Sequence, residues 1–61
     1  MNNWYQVQSL VRRHELPFCV FHFPSAGPRA GVLVDTTTGL TLASTLEEAR
    51  IAIDSARDLR T

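Results

Sequence analysis

The chain has 61 residues, 44% of them hydrophobic, and its six basic and six acidic side chains cancel. That length confines it to one small domain, residues 1–61, without room for an elaborate active-site cavity, and the hydrophobic content is too high for a disordered chain. Net neutrality lacks the basic excess of a non-specific nucleic-acid binder and the acidic excess of a nucleic-acid mimic.

All six cations are arginine, which suits a high-GC bacterial or phage genome. Cys19 is the only cysteine, so no intramolecular disulfide staples the fold. A small secreted domain would carry several, which points to a reducing cytoplasm. The first residues show no basic-then-apolar signal pattern, and the longest apolar run is far short of a membrane span. A soluble protein of the bacterial cytoplasm is expected. Burying only about 60% of its unfolded surface, it should be marginally stable unless a second copy or a partner assists it.

Residues 3–15 read as an amphipathic helix, with Asn3 as N-cap and Gln6 where a capping box places Glu or Gln. Trp4, Val7, Leu10, Val11 and His14 share one arc of the wheel. A strand competes, because Tyr5-Gln6-Val7-Gln8 alternates, but the longer periodicity favours the helix. Pro17 is expected to end it.

Residues 18–23 (FCVFHF) read as a strand, with Phe18, Val20 and His22 on one face and Cys19, Phe21 and Phe23 on the other. Residues 24–31 (PSAGPRAG) have the composition of a loop. Residues 30–44 read as a β-hairpin with the loop 36–39, Gly39 supplying positive φ and Asp35 capping the turn. That register pairs Asp35 with Leu40, Val34 with Thr41, Leu33 with Leu42 and Val32 with Ala43. It gathers Leu33, Leu40 and Leu42 on one face and Val32, Val34, Thr41 and Ala43 on the other. Residues 46–59 form the last helix, opened by the capping box Thr45–Glu48, with Leu46, Ala49, Ala52, Ile53, Ala56 and Leu59 as its apolar arc.

The expected architecture is a small α+β domain, α-β-β-β-α, with a three-stranded, mainly antiparallel sheet and two helices. Helices on both sheet faces would close the monomer. Two helices on one face would leave an apolar patch for a partner or a second copy, and a homodimer or obligate partner is the expected case.

The chemistry-bearing residues are sparse. His14, Cys19 and His22 include zinc-ligand types, but Cys19 and His22 face opposite ways on a strand and a fourth ligand is missing. The same opposition separates a Cys–His nucleophile pair with Asp35 as orienter. The glycines of the 24–31 loop are not followed by the Lys and Ser/Thr of a phosphate-binding loop. No catalytic, metal or cofactor site is assigned, and a non-enzymatic protein is expected.

Two surfaces are candidates for binding a protein. On the last helix Ile51 lies outside the apolar arc, among Glu47, Asp54 and Asp58, in the composition of a docking epitope. The plainer reading is a solvated face laced by pairs such as Arg50–Asp54. Arg12, Arg13 and Arg29, with His14 nearby, suggest a basic patch for an acidic protein or a phosphate backbone, against the plainer reading of a solvent-facing helix side. Trp4 and Phe18, Phe21 and Phe23 read as core; with one sheet face open, Phe18 or the Phe21/Phe23 pair becomes an interface anchor.

The expected function is therefore a protein-binding module that occupies a surface on a larger complex. Phage-encoded inhibitors of host defence, such as anti-CRISPR proteins, share its size and organisation, an analogy carried by no motif. The alternatives are a small dimeric nucleic-acid-binding or regulatory module and an accessory subunit of a larger complex.

Overall fold

The computed structural model describes residues 2–60. Its elements are α1 (Trp4–Arg13), β1 (Phe18–His22), a 3-10 turn (Pro24–Ala26), β2 (Gly31–Asp35), β3 (Thr41–Ala43) and α2 (Leu46–Arg60). The three strands form one antiparallel sheet in the order β1-β2-β3. The α+β, α-β-β-β-α architecture is the expected one.

Asn3 caps α1, its Oδ1 accepting from the Gln6 N–H at 2.9 Å. Gln6 does not close a box on Asn3; its Oε1 accepts from the Asn2 N–H instead, at 2.6 Å. The helix ends before Pro17 can act. His14 is the C-cap, and Glu15 takes φ 53°. The N–H of Leu16 then reaches Val11 O at 3.0 Å and that of Glu15 reaches Arg12 O at 3.2 Å, a Schellman closure with glutamate where glycine is usual.

The hairpin turn forms as expected. Gly39 has φ 78°, its N–H meets Asp35 O at 2.8 Å, and the Asp35 N–H meets Leu40 O at 2.9 Å. Asp35 Oδ1 accepts from the Thr37 hydroxyl and N–H and from the Thr38 N–H. Past the turn the register departs from expectation. Val34 pairs with Thr41, but Leu33 pairs with Ala43, so Leu42 is the extra residue of a β-bulge. Small Ala43 thereby joins Leu33 in the core, and Leu42 moves to the opposite face. Uniform pairing would have put Leu42 beside Leu33, where fully buried Ala49 and Leu46 lie.

Thr45 caps α2, its hydroxyl oxygen accepting from the Glu48 N–H at 3.1 Å. The Glu48 carboxylate accepts from Ser44 N–H, Ser44 Oγ and Thr45 Oγ1, at 3.2–3.3 Å.

The core is Trp4, Val7, Val11, Leu16, Leu33, Ala43, Leu46, Ala49 and Ile53, with Leu10, Phe18, Val20, Ala52 and Ala56 packed against it. α1 packs on β1, α2 on β3, and the helices on each other. Both helices therefore cover the face that carries Phe18, Val20 and Leu33. Leu59 departs from its expected place in the arc, being 88% exposed. Fifteen helical residues span about 22 Å against about 17 Å for the five-residue strands β1 and β2 and about 10 Å for β3, so α2 outruns the sheet.

At the far end of β1 the Trp4 indole lies against the backbone of Gly31. A Cβ there would come within 2.6 Å of Trp4 Cε2 and Nε1 and 2.8 Å of Phe21 O. Gly31→Ala is therefore expected to cost about 2–3 kcal/mol through overpacking, read as a lower midpoint in urea unfolding; an unchanged midpoint would contradict the contact.

Hydrogen bonds from Thr37, first through its hydroxyl, hold the Asp35 carboxyl below its ordinary pKa, and those from Ser44 do the same for Glu48. A lowered folded-state value contributes stability above the unfolded-state value, lost as pH falls through the lowered one. Thermal unfolding is expected to show a midpoint that drops below the ordinary carboxylate range. Asp35→Asn and Glu48→Gln should each make that acid limb shallower, and equal slopes in all three proteins would refute the assignment.

Candidate functional site

Among the described residues, no helix packs on the second face of the sheet. Alternation and the observed register place Cys19, Phe21, Val32, Val34 and Thr41 on it, the bulge turns Leu42 away from buried Ala43 onto the same face, and Phe23 continues the row past β1. Phe21 is 48% exposed, Phe23 45% and Leu42 37%. The open face is thus that of the Phe21/Phe23 pair, and Phe18 belongs to the core. No residue on it is charged. Cys19 is a half-buried free thiol on this open face. Its alternation with His22 holds: His22 is half-buried on the helix side, edge-on to Tyr5 with ring centroids 5.4 Å apart. His22 Nε2 is buried there without a hydrogen-bond partner.

The exposed side of α2 carries the acidic epitope. One turn per 3.6 residues puts Glu47, Ile51, Asp54 and Asp58 within about 60° of arc. Ile51 is 66% exposed and borders a shallow depression with Leu46, Glu47, Arg50 and Asp54. Arg50 Nε lies 3.9 Å from Asp54 Oδ2, so one of the expected local pairs forms, at long range.

The three arginines do not form one patch. Arg12 and Arg13 are exposed in the last turn of α1, where cations suit the helix dipole. Arg29 sits at the other end of that helix, because its carbonyl accepts from Trp4 Nε1 at 2.8 Å. Trp4 and Arg12 are about 12 Å apart along the axis. The Arg29 guanidinium instead bonds Glu47 at 2.7 Å. It belongs to the α2 face, a placement that linear spacing does not encode. Periodicity singles out Ile51, whereas the open sheet face needed the packing side of both helices to be known.

Among the described residues no group of three or more His, Cys, Asp or Glu side chains is placed to hold a metal ion, and no helix is long and apolar enough to cross a membrane. Comparison with protein-family models, curated proteins and solved structures found no match.

Both partners of the Arg29–Glu47 pair are more than half exposed, a setting in which ion pairs contribute about 0–1 kcal/mol. Ile51→Ser and Arg29→Ala are each expected to change unfolding free energy by less than about 1 kcal/mol. Urea titration tests this; a loss of several kcal/mol in either variant would give the α2 face a structural role.

Proposed function

We propose that this chain is a non-enzymatic protein-binding module that acts by occupying a surface on a larger complex, presenting the α2 face to it. The observation that carries the reading is Ile51, a large aliphatic side chain left two-thirds exposed on a helix whose other face holds fully buried Leu46, Ala49 and Ile53. Glu47, Asp54 and Asp58 surround it, and Arg29 is drawn onto the same face through Glu47. An apolar anchor in a rim where the carboxylates of Glu47, Asp54 and Asp58 outnumber Arg29 and Arg50 suits a partner surface with an apolar socket bordered by basic residues. Such a partner surface is what nucleic-acid-handling machines expose, and blocking it sterically and electrostatically is how a phage-encoded inhibitor of host defence would act.

Arg12 and Arg13 remain a smaller basic pair. Without Arg29 they support a nucleic-acid reading less than the three-arginine patch did.

Affinity capture from a high-GC bacterial lysate tests the proposal. The wild-type chain is expected to retain a stoichiometric protein through nuclease treatment. Ile51→Arg and the triple variant Glu47→Arg/Asp54→Arg/Asp58→Arg should lose it while keeping native circular dichroism. Equal retention by both variants overturns the proposal, as does recovery of nucleic acid that nuclease or salt removes.

A further inference from the structure

The open sheet face has a shape that a second copy fits. Its bulky side chains lie on one diagonal. Phe21 and Phe23 stand at the end of β1 where His22 pairs with Gly31, and Leu42 stands on the far edge strand, towards the end where Val34 pairs with Thr41. The other diagonal is low. Cys19, opposite Val34, occupies one of its corners, and at the other β3 ends at Ala43, so no strand residue stands there. Val32 and Val34 fill the middle.

A twofold axis lying in the plane between two stacked sheets crosses these diagonals. With the axis along the strands, β1 lies over the partner's β3, so the phenylalanines cover the bare corner and Leu42 covers the partner's Cys19. With the axis across the strands, the phenylalanines cover the partner's Cys19 and Leu42 covers the bare corner. Either way each bulky corner meets a low one, as interdigitating sheets about 10 Å apart require. The face carries no charge to repel its own copy, and an isologous contact uses the same patch twice.

We infer that this face is a homodimer interface, in which two sheets stack into a four-layer α/β/β/α sandwich with the helices outside. Area sets its strength. The face spans about 14 by 17 Å from strand spacing and rise, and Phe21 and Phe23 together expose roughly 200 Å². A stack then buries about 400–500 Å² per copy, short of the roughly 800 Å² of a stable interface, so the dimer is a weak, exchanging one. The pairing is independent of what the α2 face binds. It leaves both α2 faces on opposite outer layers, and a dimer would offer two of them.

Sedimentation equilibrium from about 10 µM to about 1 mM tests the inference, alongside the rate at which a disulfide reagent labels Cys19. The wild-type chain is expected to pass from monomer to dimer across that range, with Cys19 labelling slowed at least several-fold at the high end. Phe21→Glu should stay monomeric, with a labelling rate independent of concentration, and Ile51→Ser should dimerise as the wild type does. Should Phe21→Glu fail to fold, Phe23→Glu, beyond the end of β1, replaces it with the same expectation. A wild-type chain monomeric throughout overturns the inference and leaves the face to an unlike partner. A dimer that survives both glutamate variants, or that leaves Cys19 labelling unchanged, overturns it too by placing the contact elsewhere.

Discussion

Trp4 rests directly on the backbone of Gly31, and the remainder of the fold is arranged around that contact. The indole is 1% exposed, and only a residue without a Cβ lets it come so near the sheet. Its Nε1–H is satisfied by Arg29 O, which fixes the approach to β2 at the same time. The Arg29 side chain then turns away to Glu47 on the first turn of α2. One loop residue thus holds the start of α1 with its carbonyl and the start of α2 with its guanidinium. The first bond is partly buried and stabilises more; the second is exposed, and serves orientation rather than stability. With both helix starts gathered over the same end of the sheet, both helices lie on one face and the other stays bare.

Much of this was legible locally. Asn3, Thr45 with Glu48, and Asp35 with Thr37 and Thr38 act through side chain-to-backbone bonds that span two or three residues, and Gly39 acts through its own positive φ, so spacing alone reveals them. The departures come where distant packing competes. The bulge at Leu42 exchanges a regular ladder for Ala43 under α2, a decision made by a helix that begins three residues later. Glu15 accepts a left-handed backbone that glycine would adopt more readily, because Leu16 must turn back into the core, where it is 7% exposed. Pro17 as a stop signal was redundant by then. Leu59 continues the apolar periodicity of α2 without a neighbour beneath it, and periodicity cannot report where a sheet ends.

The candidate surfaces divide in the same way. Ile51 stands out because the helix wheel is a local map, and the structure places it outside the core with its acidic neighbours as the wheel implies. The arginine cluster did not survive as a unit, because helix length separates residues that composition groups together. The sheet face needed the one fact that alternation leaves open: which side the helices take. Once Phe18 and Val20 are on the helix side, Phe21, Phe23, Val32 and Val34 follow from the period of two, and the bulge adds Leu42.

The overrun of α2 beyond the sheet divides a single helix into two regimes of local stability. Amides of the stretch that contains Ala49 and Ile53 are covered by side chains with no exposed surface and open only when the domain opens. Those around Leu59, whose side chain is almost wholly exposed, lack that cover, and a helical piece so short is by itself close to zero net free energy. Along one continuous helix, hydrogen exchange would therefore grade from the slowest sites in the molecule to some of the fastest, with the step falling near Ala56.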